Sequence, residues 1–211
     1  MALTTYSELQ TTVSNWLNRD DQTTLDIIPD FIRLAEAKLN RMEEIRDEVE
    51  GTLTLNIETV SLPSDFREKL KLVFDDGTRF GEIEVVPPEM LAAKKVSLGK
   101  TGFPRFAAII ANGTKVRLAP APDQSYAVKT YYVGSLAALT TTDVRNWLLT
   151  SHPDIYLYAT LVESAPYLKD DERIAIWKTE RDERIADLGV FRTRQRSGGN
   201  MPRMRPRRAI G

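Results

Sequence analysis

Apolar residues follow a helical period at the two ends of the chain and a strand period between them. Residues Thr5 to Asn18 predict a first helix, and residues from about Ile28 to about Glu48 predict a second one. The apolar positions of the second segment recur at helical spacing and predict one buried face: Ile28, Phe31, Ile32, Ala35, Leu39 and Met42. Asp26 is suited to cap this helix, and Pro29 fits a first helical turn.

From Gly51 to about Leu136 the helical period is lost, and residues 52–57 alternate polar and apolar, which is typical of a strand with one buried face. Seven short strands are expected, at 52–57, 60–62, 70–74, 81–86, 105–111, 114–118 and 126–133. Asn112-Gly113 predicts a hairpin turn, because both residues adopt positive φ readily. A turn is expected at Asp75-Asp76-Gly77, and a short helix from Pro87 to about Lys95. Strands of this length joined by turns predict a small antiparallel barrel or sandwich.

The last third of the chain returns to the helical period. A helix is expected to start at Pro153 after a Ser151 cap, and Pro166 should kink or end it. A long helix should then start at Asp170 or Asp171. Beyond Phe191 the apolar period stops, and glycines and prolines favour an extended segment.

These elements predict an α+β protein in which a β domain is inserted into an antiparallel helical bundle. The bundle is expected to comprise residues 1–50 and 137–191, and the β insertion residues 51–136. Residues 192–211 are expected to form an extended basic tail. No internal repeat is visible.

The net charge of −1 conceals an asymmetry between this tail and the rest of the chain. Residues 192–211 hold seven arginines and no acidic residue, so residues 1–191 carry a net charge of −8. A basic segment of this kind can bind nucleic acid through phosphates, dock into an acidic groove on a protein, or remain solvated. Met201 and Met204 among the arginines favour the protein groove. The residues concerned are Arg192, Arg194, Arg196, Met201, Arg203, Met204, Arg205, Arg207 and Arg208.

Candidate catalytic chemistry is sparse. The chain has no cysteine and a single histidine, His152, and it lacks the glycine-rich phosphate-binding motifs. The acidic pairs, such as Asp20-Asp21 and Asp170-Asp171, fall at turns or helix starts, where aspartate caps backbone N–H groups. A carboxylate-based hydrolase using Asp170 and Asp171 is the weakest of the alternatives. We therefore expect no catalytic activity, no cofactor and no metal.

The three tyrosines of the last predicted strand are Tyr126, Tyr131 and Tyr132. Exposed tyrosines can stack on nucleic-acid bases. Tyr131 and Tyr132 must face opposite sides of a sheet, so one should be buried and the other exposed.

The first residues show no signal-peptide pattern, and no apolar run approaches the roughly 20 residues that cross a bilayer. We expect a protein made in the cytoplasm that does not enter a membrane.

Several stretches together resemble one known family, the head-to-tail adaptor (connector) proteins of short-tailed bacteriophages. The N-terminal stretches are TYSEL with WLNR, at residues 5–9 and 16–19, and IPDFI through AEAKLNR, at residues 28–41. The central ones are LPSDF at 62–66, VRLAPAPD at 116–123 and Tyr131-Tyr132. The most specific block combines WLL at 147–149, PDIYLY at 153–158 and APYLKDDER at 165–173. The resemblance spans residues 5 to about 190 and excludes the arginine-rich tail.

This resemblance implies a structural virion protein at the head–tail junction, made in the bacterial host cytoplasm. It implies a ring of twelve copies beneath the portal protein, which joins the portal to the tail (nozzle) protein. It also implies a helical bundle with a β insertion and no catalytic residues. Packaged DNA would pass through the ring without sequence-specific binding, and by position the C-terminal tail would grip the portal.

The alternative from the residues alone is a nucleic-acid-binding protein that acts through its arginine-rich tail. Such a protein should bind DNA alone, with an affinity that falls steeply in salt.

Overall fold

The protein forms two compact units in the computed structural model, which describes residues 3–75, 80–168 and 171–196. The first unit joins the chain up to Ile45 with the chain from Leu136 onwards, and the second is Arg46–Ser135. The described helices are α1 (Tyr6–Leu17), α2 (Gln22–Leu39), α3 (Pro88–Ser97), α4 (Trp147–Ser151), α5 (Pro153–Leu168) and α6 (Asp171–Arg196). The described strands are β1 (Asp47–Leu55), β2 (Thr59–Ser61), β3 (Phe66–Asp75), β4 (Phe80–Val85), β5 (Phe106–Ile110), β6 (Lys115–Ala119) and β7 (Tyr126–Gly134).

The first unit is helical, and its helices pack around α5. This helix contacts α1, α2, α4 and α6. It is buried on several sides, with Ile155, Tyr156, Ala159 and Leu161 all at most 3% exposed, as expected of a helix surrounded by others. One hydrophobic cluster contains residues of all five helices.

Helix α1 begins where the sequence predicts, and its start shows why. Thr5 accepts a hydrogen bond from the Glu8 backbone N–H, and the Glu8 carboxylate accepts one from the Thr5 N–H. This reciprocal capping box satisfies two backbone donors that the first turn leaves unpaired. Asn18 ends the helix in the left-handed conformation, with φ of 53°.

The predicted bounds of the second helix were wrong at both ends. Helix α2 starts at Gln22, because Asp21 rather than Asp26 accepts a hydrogen bond from the Thr24 N–H. Pro29 therefore lies inside the helix rather than in its first turn. The helix ends at Leu39, and Asp47 and Glu48 already belong to strand β1. The sequence pattern predicted Asp47 and Glu48 on a helix, whereas the structure places both residues in β1, an edge strand of the sheet.

The C-terminal helices also differ from the prediction in three places. Helix α4 was not expected, and Asn146 caps it by accepting a hydrogen bond from the Leu149 N–H. Pro166 lies in the last turn of α5, and the helix ends two residues after it at Leu168 rather than at the proline itself. Helix α6 starts at Asp171, as predicted, but continues to Arg196, five residues into the segment expected to be extended.

The second unit contains a curled seven-stranded sheet in the order β1-β7-β3-β4-β5-β6-β2. All seven strands overlap their predicted positions, although β1 starts five residues and β3 four residues earlier than predicted. The sheet is not purely antiparallel, because β4 and β5 run parallel. Helix α3 lies between these two strands in sequence and supplies the crossover that a parallel pair requires. The expectation of an antiparallel barrel or sandwich is corrected on this point.

One side of this sheet holds its main core. Side chains from β1, β3, β4, β6 and β7 meet there, including Leu55, Leu72, Ile83, Leu118 and Val128. The tyrosine prediction is confirmed: Tyr132 is 6% exposed in this core, and Tyr131 is 37% exposed on the other side. Asn112 and Gly113 adopt positive φ between β5 and β6, as the Asn-Gly pair predicts. The predicted turn residues Asp76 and Gly77 lie outside the described residues.

Candidate assembly surface

The predicted binding residues fall into two groups in the structure. Arg192, Arg194 and Arg196 belong to the last turns of α6. The others lie outside the described residues: Met201, Arg203, Met204, Arg205, Arg207 and Arg208. The structure therefore places the start of the basic segment on a regular helix. Arginine is a good helix former, and positive charge near a helix C-terminus is favourable.

Arg192 is positioned by an aromatic contact. Its guanidinium lies 4.3 Å from the centre of the Trp147 ring, at the start of α4. This is the distance of a cation–π interaction, which is worth about 0.5–1 kcal/mol at an exposed site. The Nε1 atom of Trp147 is buried and has no hydrogen-bond partner among the described residues. The contact thus holds an arginine against the side of α4.

A groove of about 370 Å³ surrounds this contact. Besides Trp147 and Arg192, its lining comprises Ser151, His152, Leu188, Phe191 and Gln195. His152 is the C-cap residue of α4, so the only histidine of the chain lies at the edge of a helix, as its sequence context suggested. Phe191 is 52% exposed, although it is a large aromatic residue. The groove thus offers aromatic, cationic and polar groups to a partner.

A second groove, of about 720 Å³, lies along another side of the same helix end. Glu43 and Glu44 line it opposite Gly189, Val190 and Arg194. A Cβ atom on Gly189 would lie 3.0 Å from Cγ of Glu44, so the missing side chain permits this close approach. Val190 is 52% exposed beside the groove. The end of α6 therefore combines exposed apolar side chains with arginines.

The earlier part of α6 is tied to α5 by a charged cluster. Arg184 forms an ion pair of 3.0 Å with Asp154 and a second one with Glu180. The Arg184 guanidinium also lies 4.5 Å from the centre of the Tyr158 ring. These contacts fix the direction of the helix before it reaches the two grooves.

A buried polar network holds the segment that leads into α4, and the sequence analysis did not identify it. One carboxylate oxygen of Glu36 accepts hydrogen bonds from the Leu139 N–H and from the Tyr156 hydroxyl, both at 2.8 Å. Asn146 donates to the Tyr156 oxygen at 2.8 Å. Burial raises the pKa of Glu36, and hydrogen bonds from Leu139 and Tyr156 oppose the shift.

The sequence does contain a signal for this network. Glu36 is four residues after Ile32 and three before Leu39, so it lies on the apolar face of the helix. A carboxylate at such a position needs partners, because burying it alone would be costly.

The remaining predicted chemistry can be located in part. Asp21 caps α2, as proposed for the acidic pairs, whereas Asp170 lies outside the described residues. Among residues 3–75, 80–168 and 171–196, no group of three or more histidine, aspartate or glutamate residues is arranged to hold a metal ion. No helix within these ranges is long and apolar enough to span a bilayer.

Comparison with known proteins adds one finding. The model of a family described as SU10 adaptor protein matches residues 4–207. This match covers nearly the whole chain and extends past residue 190, where the resemblance seen in the sequence ends. It therefore includes most of the arginine-rich segment. A search of curated proteins gives no match.

Proposed function

The chain belongs to the SU10 adaptor protein family, and from this premise we propose that it forms a ring beneath the portal of a phage. In this role it joins the portal to the tail protein and continues the channel for DNA, with twelve copies in the ring. A structural adaptor role, as a component of the virion that associates with portal and tail, follows from the family itself. The number of copies, the channel and the docking residues are our proposal. It assigns no catalytic step and no cofactor to the chain.

The family match over residues 4–207 is the observation that carries this proposal. The match includes both compact units, so it concerns the whole assembly of helices and sheet rather than one common motif. Closed rings are built from head-to-tail contacts between identical copies, in which two different surfaces of the chain meet.

The end of α6 supports the docking part of the proposal. Tryptophan, tyrosine and arginine are the residues that most often dominate binding energy in protein interfaces. Trp147 and Arg192 are two such residues, and they line one groove together with the exposed aromatic residue Phe191. Arg194 and the arginines that follow could then pair with carboxylates of the portal through bidentate hydrogen bonds.

Native mass spectrometry of the protein mixed with the portal ring of the same phage would test the proposal. Three forms should be compared: the full chain, a chain ending at Arg196, and the full chain with R192Q and R194Q. Ending the chain at Arg196 keeps α6 intact, so a lost complex would report on the segment after it. We expect a ring-on-ring complex with twelve adaptor copies for the full chain, and a weakened one for both altered forms.

Nucleic-acid binding through the arginine-rich segment is the second candidate function. It is favoured by the seven arginines and the absence of acidic residues in 192–211. The same three forms discriminate between the candidates. The adaptor proposal is wrong for this segment if no form binds the portal and the full chain binds DNA more tightly than the chain ending at Arg196. The second candidate then replaces it.

A further inference from the structure

The outer side of strands β5, β6 and β2, which faces away from the sheet core, carries a basic surface. Lys115 and Arg117 are exposed on β6, and Val116 between them is buried in the sheet core. Their neighbours on β2 are Ser61, opposite Lys115, and Thr59, opposite Arg117. Since residues opposite each other face the same side of a sheet, two cations and two hydroxyls share this surface. We call these four residues the basic face.

Helix α3 adds further cations next to the basic face. It packs on the same outer side, against Ala108 of β5 and Ala119 of β6. Lys94 lies 4.0 Å above the centre of the Phe106 ring, and Lys95 is paired with Glu58, which directly precedes β2. The two lysines are thus held at the edge of the basic face by contacts with the sheet.

The local charge is opposite to that of the chain as a whole. Residues 88–121 contain six basic residues and a single acidic one, Glu89, although the chain has a net charge of −1. The six are Lys94, Lys95, Lys100, Arg105, Lys115 and Arg117.

The nearest carboxylates leave the basic face open. Glu58 is paired with Lys95, and Glu84 lies on β4 opposite Phe106, beyond β5. Among the described residues, Lys115 and Arg117 have no ion-pair partner. The cations that point outward from β6 are therefore available to an anionic ligand.

We propose that the basic face binds the phosphate backbone of double-stranded DNA, through residues other than those of the arginine-rich segment. Phosphate oxygens are bound by lysine and arginine together with serine and threonine hydroxyls, and this is the composition of the face. Lys115 and Arg117 are about 7 Å apart along the strand, so both can engage a duplex that carries one charge per roughly 1.7 Å of its axis.

A protein partner fits these residues less well. The centre of a protein interface is depleted in charged residues and enriched in aromatic ones, whereas interfaces with DNA are more polar and far more positive. No aromatic side chain lies among the four residues of the basic face. Because they contact only the backbone, the binding would be independent of base sequence.

The negative charge of the remaining chain would help to orient the duplex. Residues 1–191 have a net charge of −8 although they include the six cations of residues 88–121, so the rest of this stretch repels DNA while the basic face attracts it. A duplex near the protein is thereby directed to the outer side of β5, β6 and β2. This step does not depend on ring formation and can be measured on the isolated protein.

The test is the salt dependence of binding to a duplex of mixed sequence, measured by fluorescence anisotropy with the full chain. Variants K115Q/R117Q and K69Q/K129Q both remove two exposed cations from the sheet unit, the second pair from β3 and β7. We expect K115Q/R117Q to lower the slope of log K against log salt by about two, because two phosphate contacts are lost. The slope of K69Q/K129Q should stay that of the wild type.

The arginine-rich segment is present in every form, so its contribution cancels in these comparisons. Thermal unfolding followed by circular dichroism should show that both variants remain folded. Equal slopes for the two variants would overturn the proposal, as would a wild-type chain that does not bind the duplex. Loss of portal binding or of self-association in K115Q/R117Q, with an unchanged DNA slope, would also overturn the proposal. The basic face would then be a protein interface.

Discussion

Glu36 illustrates how a single buried carboxylate can organise a loop. It lies on α2 but accepts the backbone N–H of Leu139, so it fixes the polypeptide that approaches α4. The Tyr156 hydroxyl donates to the same oxygen from α5. Burial raises the pKa of Tyr156 most, and the charge of Glu36 raises it further. This hydroxyl therefore keeps its proton and remains a donor.

The raised pKa of Glu36 predicts a specific dependence of stability on pH. The folded state holds the proton of Glu36 more tightly than the unfolded state does. The resulting stabilisation is present below the ordinary pKa of 4.5, and it is lost as pH rises through the pKa of Glu36 in the folded state. E36Q keeps an oxygen acceptor but cannot ionise. The free energy of unfolding of the wild type should therefore fall relative to that of E36Q as pH increases above about 4.5, in urea titrations at several pH values.

Two comparisons would check this interpretation. E36A should lower the free energy of unfolding by about 1–3 kcal/mol at low pH, because the Leu139 N–H and the Tyr156 hydroxyl lose their acceptor, and this loss should shrink as pH rises because E36A cannot ionise either. E89Q, which removes an exposed carboxylate from α3, should follow the wild-type profile. A constant difference between wild type and E36Q across this pH range would show that Glu36 does not titrate differently in the folded state.

Gly134 at the end of β7 is a residue where the absence of a side chain matters sterically. A Cβ atom there would lie 2.9 Å from Cγ2 of Val49 and 3.3 Å from a carboxylate oxygen of Asp65. G134A should lower the free energy of unfolding by about 1–3 kcal/mol through this overlap. G81A in β4 meets no atom within 4 Å and should be much milder.

A double-mutant cycle in chemical denaturation can assign the cause of that loss. V49A removes the clashing methyl group, so G134A should cost less in the V49A background than in the wild type. An equal cost in both backgrounds would show that Val49 is not the obstacle.

At the scale of elements, variants at the start of α2 can test which residue determines where this helix begins. Asp21 accepts hydrogen bonds from the Thr24 backbone N–H at 3.0 Å and from its hydroxyl at 2.8 Å. Both bonds lower the pKa of Asp21, and the bond from the Thr24 hydroxyl has the larger effect. D21A should lower the melting temperature at neutral pH, and the effect should fade as the pH falls and the carboxyl group is protonated in both states.

D26A is the matched control, because Asp26 is the cap that the sequence pattern favoured. It accepts only a side-chain hydrogen bond from Gln22 on the helix surface. Differential scanning calorimetry should show a smaller shift for D26A than for D21A. The reverse order would mean that the helix effectively begins near Asp26.

Local patterns predicted the elements better than their connections. Alternation located strands such as β1, β6 and β7, in which more buried and more exposed residues alternate, and Asn112-Gly113 located the hairpin turn. The parallel pairing of β4 and β5 could not be read in this way, because alternation does not encode strand direction. Helix α4 was missed because five residues are too few to show a helical period.

How well the candidate site could be predicted depended on how far apart its residues lie along the chain. Its charge was visible, because seven arginines stand in one short segment. Its geometry was not, since Arg192 and Trp147 are 45 positions apart and only the packing of α6 beside α4 brings them together. The same holds for Glu36 and Tyr156, which are 120 positions apart.

At the scale of the whole molecule, the proposed docking requires a surface that folding itself does not need. Most large apolar side chains of the helical unit are buried around α5, yet Val190 and Phe191 remain 52% exposed near the end of α6. Exposed apolar residues beside arginines are typical of contact sites. Their contribution should therefore appear in assembly and not in stability.

Replacing Phe191 separates these two roles, and α6 supplies its own control. Phe191 and Ile176 are both exposed on this helix, at 52% and 61%, but Phe191 lines the groove beside Trp147 whereas Ile176 lines neither of the two grooves described above. F191S should weaken the complex with the portal ring in native mass spectrometry, because the groove loses its aromatic wall, while the melting temperature changes little. I176S should leave the complex intact. If I176S weakened the complex as much as F191S did, contact would extend along the whole helix and would not be centred on its C-terminal end.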